Sequence, residues 1–587
     1  MPNQGELPEL AATVLQPGFV GTSAPDWVRR WLAGGLGGVA LFARNVESPA
    51  QVAALTAQLR AERPDVIVAI DEEAGDVTRF ESRLGSSRPG NLALGAIDDP
   101  ALTFAVARDL GAELAGAGIT LDYAPDTDVN SNPGNPVIGV RAFGAEPQLV
   151  ARHSAAFVSG LQDAGVAACA KHFPGHGDTS VDSHHDVPLI DRDRAGLDAC
   201  ELPPFRAAIE AGVQAVMTGH LLVPAFDDRL PATLSHRIMT GLLREELGFR
   251  GLIVTDGIEM QAVRLRYGLA GAAVRALAAG VDAICVGGDH ADEKTAVLLR
   301  DAIVEAVRDG SLSGDRLADA AARVRRLGAW ATAAQTRTGA RAIADRARVP
   351  GDRARVLGDL AAVPPSDQGS APANGSAASN DSAVANGSAA PNGSAQANGL
   401  AAANGSAAVN GSAASNDSGS AHGSAGVGGS AVGYDAARRA VRVTLAEGAA
   451  ALPIDRPAHV VEFAPPRNIA IGAETPWGIG APLAGLLPGT TSVRLTADDL
   501  DGAADPLAGT DGRALVLVAR DVHRHPWLEA ALRRVLAARP DAIVVEMGVP
   551  VTVLGGVHIA TYGATRACGL AAAELIAGSQ MPAPIAA

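Results

Sequence analysis

Short apolar runs rich in β-branched residues recur through the first half of the chain: GGVALF at 37, VIVAID at 66, ITLDYAP at 119, VAACAKHF at 166, QAVMTGH at 214, GLIVTD at 251 and VDAICVGG at 281. Between them lie amphipathic stretches such as PAQVAALTAQLRAERP, ALTFAVARDLGAELAGAG and SHRIMTGLLREELG, which have helical spacing. Strand and helix alternating at this interval imply parallel strands, because each right-handed crossover returns the chain to the same end of the sheet. With TVLQPGFVG near 13 as the first strand there are eight, the count of a (β/α)8 barrel over 10–340. An open doubly wound sheet is the alternative, since a sequence does not display closure.

The pattern breaks after 340. From Ser366 to about Gly433 the chain consists almost wholly of Ala, Gly, Ser and Asn, with NGSAA recurring at 374 and 404. Such side chains bury too little to offset the entropy of ordering the backbone, so 341–433 reads as a connecting segment containing a flexible tether. Beyond it, AHVVEFAP, TSVRLT, ALVLVAR and DAIVVEMG read as buried parallel strands, with HPWLEAALRRVLAARP and TRACGLAAAELIAG as helices. Residues 434–587 are therefore expected to form a smaller α/β sandwich, and it carries no glycine-rich phosphate loop.

Composition narrows the function classes. With 48 basic against 64 acidic residues the formal charge is −16, which disfavours nucleic acid and anionic membrane surfaces as partners. Cys169, Cys200, Cys285 and Cys568 lie far apart, as reduced buried thiols do and zinc knuckles do not. The beginning of the chain lacks the pattern of a secretory signal, and no run approaches a membrane span; the reading is a soluble cytoplasmic protein, monomeric or weakly oligomeric. Lys171 and Lys294 are the only lysines in an arginine-rich chain, which singles out both.

Asp71, Lys171 with His172, His220 and Asp256 each close an apolar run. In a parallel barrel those ends converge on one rim, where active sites are built. The densest segment, KHFPGHGDTSVDSHHDVPL at 171–189, holds His172, His176, His184 and His185 among Asp178, Asp182 and Asp186. A metal site is the rival reading of such a cluster, but Pro174, Gly175 and Gly177 exclude a helix that would aim two histidines together, so no metal and no cofactor is expected.

The run Lys171-His172-Phe-Pro-Gly-His-Gly, the turn Asp182-Ser183-His184 and the strand end Val254-Thr255-Asp256 resemble the β-N-acetylhexosaminidase branch of family 3 glycoside hydrolases. GGVALFARN at 37, AIDEEAGDVTRF at 69, APDTDVN at 124 and VIGVRAFG at 137 agree in order, so the resemblance covers most of 10–335. It implies a retaining exo-β-N-acetylglucosaminidase acting on small N-acetylglucosamine-containing carbohydrates, with cell-wall muropeptide fragments as the expected source. Asp256 would be the nucleophile, a carboxylate able to form a glycosyl ester that water then opens. The resemblance makes His184, oriented by Asp182, the acid and base; His176, His185 and a carboxylate such as Glu474 are the rivals. By the same resemblance Asp71, Arg79, Arg141, Lys171 and His172 hold the hydroxyls of the terminal sugar.

The sequence departs from the family pattern at Ala74, where glycine is usual, and at Asp76, where a basic residue is usual. After the nucleophile, Gly257 and Glu259 replace the commoner Asp and Ser or Gly. Three other readings stay open on sequence alone: a phosphorylase or broader β-glycosidase, a silent barrel that senses muropeptides, and a metal hydrolase.

Overall fold

The computed structural model describes residues 3–181, 187–288, 290–348, 430–449, 452–466, 470–472, 475–510 and 512–579. Strands β1 (Leu15–Pro17), β2 (Gly38–Leu41), β3 (Ile67–Ile70), β4 (Leu121–Asp122), β5 (Ala167–Phe173), β6 (Ala215–Thr218), β7 (Leu252–Thr255) and β8 (Ile284–Val286) coincide with the eight apolar runs. β2 to β7 form one parallel sheet in chain order. β8 joins β7 through a parallel bridge between Val254 and Ala283 and pairs with β1 in register Leu15 with Ile284, which brings the ring back beside β2. The barrel expected from sequence is the one observed, and consecutive strand order rules out the doubly wound sheet.

The runs are apolar throughout because both faces are buried. Ala40, Ile67, Ala69, Leu121, Ala167, Cys169, Ala215, Met217, Leu252, Val254 and Cys285 fill the barrel interior. The alternate positions, among them Val39, Val68, Ile70, Val216, Ile253 and Ile284, pack outward against the helices. Those helices start where the sequence provides caps: Ser48 Oγ accepts from Gln51 N ahead of Pro49–Glu62, and Asp99 and Glu146 serve Pro100–Gly116 and Pro147–Asp163. Each has proline at its first position, where a missing N–H costs nothing. The helix Gly314–Arg348 plugs the amino-terminal mouth of the barrel with Val324 and Leu327. It can approach because Gly328 lacks a Cβ, which would stand 2.2 Å from the Asp65 carbonyl oxygen. Only the carboxyl end of the barrel is left for a site.

The second sheet comprises β9 (Arg442–Leu445), β10 (Ala458–Phe463), β11 (Thr491–Leu495), β12 (Ala514–Ala519), β13 (Ile543–Glu546) and β14 (Val557–Ala560), in the order β11-β10-β12-β13-β14-β9. All neighbours are parallel except β9, which runs antiparallel to β14. All four strands expected here are present, but β11 is a largely exposed edge rather than a buried strand, and β9 and β14 were not foreseen.

The carboxyl ends of this sheet dock on the barrel's carboxyl rim. Arg520, directly after β12, pairs with the buried Asp76, whose other oxygen accepts from Ala564 N at 2.8 Å. His523 Nε2 donates to the Pro133 carbonyl at 2.7 Å, and Arg566 pairs with Glu81 at 2.8 Å. The helix Ala431–Ala440, capped by Ser430, is wedged between helices of both halves and begins inside the stretch that sequence assigned to the connecting segment. Gly433 is part of this packing, since a Cβ there would stand 2.4 Å from the Ser87 carbonyl oxygen.

Candidate active site

A cavity of about 750 Å³ opens at the carboxyl ends of the barrel strands, lined among others by Asp71, Arg79, Arg141, Lys171, His172, His176, Asp256 and Glu259. The five residues expected to bind sugar and the expected nucleophile are thus brought to one space, Lys171 and His172 from the end of β5 and the others from the segments after β3, β4 and β7. Asp182, Ser183, His184, His185 and Glu474 lie outside the described residues.

Two carboxylates, the half-buried Asp71 and the buried Glu73, organise one wall. Asp71, at the end of β3, pairs with Lys171 and accepts from Arg79 Nη2 at 2.9 Å. Glu73, two residues on, is gripped by Arg141 through Nε at 2.9 Å and Nη2 at 2.7 Å, and lies 2.7 Å from Lys171 Nζ. Burial pushes the Asp71 carboxyl up, but the Lys171 and Arg79 cations outweigh it and hold Asp71 well below the usual carboxylate range. Burial likewise pulls Lys171 down, and Asp71 and Glu73 carry it back above its ordinary value. The result is a wall of fixed charges, rich in N–H donors and carboxylate acceptors, suited to a ring of hydroxyls.

The loop carrying Asp71 and Arg79 is set by Glu72, whose Oε2 accepts from Thr78 Oγ1, Arg79 N and Phe80 N at 3.0, 2.7 and 2.8 Å. Burial raises the Glu72 carboxyl to about 7. Ala74 in this loop adopts φ 59°, a left-handed conformation that costs an alanine more than a glycine and accounts for glycine being usual there. Arg79 Nη1 donates to the Ala470 carbonyl at 2.9 Å, and Ala470 lines the cavity, so the second sheet domain contributes to its wall.

A chain of histidines and carboxylates extends from Arg141. His172 Nδ1 donates to Asp128 Oδ2 at 2.7 Å, and Asp128 Oδ1 accepts from His176 N at 2.7 Å. Burial alone would lower the His172 imidazole, but the Asp128 carboxylate raises it above the ordinary histidine range. His176 goes the other way: burial and the neighbouring His172 bring it to about 4, so it is neutral at pH 7. Thr179 Oγ1 donates to the His176 carbonyl at 3.0 Å and therefore accepts from His176 Nδ1 at 2.8 Å, leaving Nε2 a lone-pair acceptor. Asp126, Asp128 and His172 have three ligand-type atoms within 4.8 Å of one another. His172 is bound to Asp128, and Arg141 stands 3.7 Å from Asp126 Oδ2.

Asp256 follows β7, its N donating to the Thr218 carbonyl at 3.2 Å and its Oδ1 accepting from Gly257 N at 2.8 Å. His220, at the end of β6, does not line the cavity; its Nε2 donates to the Gly257 carbonyl at 3.0 Å and steadies the turn after Asp256. Asp178 faces outward, paired with Arg192 at 2.9 Å. Sequence reasoning missed Glu73, Asp126 and Asp128. All three stand inside quoted motifs, AIDEEAGDVTRF and APDTDVN, which was the available signal.

Residues 19–327 match the N-terminal domain of glycosyl hydrolase family 3. A beta-hexosaminidase of Nitrosomonas eutropha is 42% identical over 268 residues, 44% of this chain and 76% of that relative. Beta-hexosaminidase A of Pseudoalteromonas piscicida is 36% identical over 316 residues, 50% of this chain and 53% of that relative, so the chain spans about half that relative's length. Among solved structures, a glycoside hydrolase family 3 beta-N-acetylglucosaminidase from Paenibacillus sp. superposes with a TM-score of 0.73 at 29% identity, covering 98% of this chain and 97% of that one.

Proposed function

The chain belongs to glycosyl hydrolase family 3, and from that membership and the charge-paired cavity we propose that it is a retaining exo-β-N-acetylglucosaminidase. The carrying observation is that Arg79, Asp71, Lys171 and Arg141, the last two paired with the buried Glu73, line the same cavity as Asp256. Fixed donors and acceptors of this density suit the hydroxyls of one terminal sugar, and anchoring the ring supplies the binding energy that its distortion requires. The substrate is a terminal N-acetylglucosaminide, with muropeptide fragments as its natural source and the cytoplasm as the place of action.

In the first step an Asp256 carboxylate oxygen attacks the anomeric carbon while the bond to the leaving oxygen breaks, and His184 gives its proton to that oxygen. In the second, His184 takes a proton from water, the new hydroxyl bonds to the anomeric carbon and the ester to Asp256 opens. Asp182 orients the imidazole and raises its basicity. Both steps proceed on the chain's own side chains.

Hydrolysis of 4-nitrophenyl N-acetyl-β-glucosaminide followed by proton NMR tests the reading. The first-formed sugar is expected as the β anomer. Initial appearance of the α anomer, or no cleavage alongside efficient cleavage of another aryl glycoside, would overturn it.

A further inference from the structure

The order of the strands around the barrel puts β8 opposite β4, and the charges of the cavity divide accordingly. On the side of β3, β4 and β5 every cation is compensated: Arg79 by Asp71, Arg141 by Glu73, Lys171 by both, and His172 by Asp128. On the other side Met260, Gln261, Arg264 and Gly288 line the cavity from the segments that follow β7 and β8. Arg264 breaks the pattern of pairing.

Arg264 stands half-buried in the helix Gln261–Tyr267, which follows Asp256. Its Nε donates to the Glu259 carbonyl at 3.1 Å, which fixes the guanidinium. The Glu259 carboxylate does not pair with it; Oε1 is held instead by Gly287 N at 2.8 Å and Gly288 N at 2.5 Å. Among the described residues Arg264 has no carboxylate partner and its Nη1 and Nη2 have no acceptor, yet neither nitrogen is sealed from solvent. In a chain of formal charge −16, a cation left uncompensated on a cavity wall stands out. With Nε occupied, the fork between Nη1 and Nη2 is the edge left for a ligand, and that edge matches the two oxygens of a carboxylate.

We infer that Arg264 is a specificity residue for the leaving group, its Nη1 and Nη2 pairing with a carboxylate carried by the part of the substrate beyond the scissile bond. This rests on the reading of the cavity as a glycosidase site. On that reading the wall after β3, β4 and β5 holds the terminal sugar and Asp256 meets its anomeric carbon, so the rest of the substrate extends over the side of β7 and β8, where Arg264 stands. An acid group there gains charge-assisted hydrogen bonds that a neutral aglycone does not, and the enzyme prefers acid-bearing aglycones.

The test uses N-acetylglucosaminides in pairs that differ in that charge: glycosides of 2-, 3- and 4-hydroxybenzoate against those of the corresponding hydroxybenzamides, and a disaccharide whose second sugar carries a carboxyalkyl ether against its amide. The readout is the acid-to-amide ratio of kcat/KM within each pair. In Arg264→Gln this ratio is expected to fall by about 5- to 20-fold for at least one pair, between the values for an exposed ion pair and for a hydrogen bond to a buried charge. Arg264→Lys, which keeps the charge without the fork, is expected to fall part of the way, and added salt to erode the wild-type ratio. A merely structural role lowers both members of a pair alike and leaves the ratio where it was.

A ratio in Arg264→Gln within twofold of wild type for every pair would overturn the inference. Should Arg264→Gln not fold, Arg264→Lys and the salt dependence of the wild-type ratio take its place, and a ratio indifferent to both overturns it. If the wild type cleaves glycosides of a different sugar instead, the functional reading alone fails and the same pairs are compared on that sugar. Inactivity on every glycoside would overturn both.

Discussion

At the scale of single residues the account turns on what each charged group can do. Asp256→Asn preserves shape but cannot form a glycosyl ester, so turnover is expected to fall by roughly 10³-fold or more with the circular dichroism spectrum unchanged. His184→Ala is expected to cripple hydrolysis of disaccharides far more than glycosylation of the enzyme by nitrophenyl substrates, whose leaving group departs without a proton. Asp182→Asn should give a milder version, measured across aryl glycosides as a dependence on leaving-group pKa steeper than the wild type's but shallower than that of His184→Ala. Asp126 offers a test in pH. Burial, with Asp128 beside it, raises its carboxyl to about 8, so the folded chain holds a proton that the unfolded chain releases near 4. Between those values the native state binds more protons, and Asp126 costs stability as pH rises through that window. Asp126→Asn, neutral throughout, is expected to raise Tm at pH 8 relative to wild type while changing it little at pH 4.

At the scale of elements, the barrel strands were legible because apolar faces on both sides produce uninterrupted runs, and the helices because Ser48, Asp99 and Glu146 stand before prolines. β9 was not legible: RVTL is exposed at every position and carries no burial signal. β14 was hidden because VHIA is short and includes a histidine, His558, which the fold buries. The same contrast holds in the site. Asp71, Lys171 and Asp256 announce themselves by closing apolar runs, whereas Glu73 acquires its importance from Arg141, 68 residues away, a pairing that no local pattern encodes. Asp76 illustrates this over a longer span. From sequence it stood only as a departure from the family pattern; in the fold it is the buried partner of Arg520, 444 residues on. Arg520→Ala leaves that carboxylate unpaired, and a stability loss of about 3–5 kcal/mol, read by denaturant unfolding, is expected.

At the scale of the whole molecule, the second sheet domain sets its strand ends against the catalytic rim and offers Ala470 to the cavity wall, so it belongs to the enzyme's architecture rather than trailing from it. The Ala/Gly/Ser/Asn-rich segment that joins the halves is expected to be replaceable. Loop closure depends only logarithmically on length, so exchanging 366–429 for a short Gly/Ser linker should leave kcat/KM within a few-fold. The deletion has to stop before Ser430, which caps the wedging helix, and Gly433, which packs against Ser87. The central claim, covalent catalysis through Asp256 on an N-acetylglucosaminide, is tested most directly by peptide mass spectrometry of the His184→Ala variant after brief reaction with an activated aryl N-acetylglucosaminide. The account predicts one N-acetylhexosamine residue esterified to the peptide bearing Asp256. Release of sugar with no labelled peptide, or a label on any other residue, would contradict it.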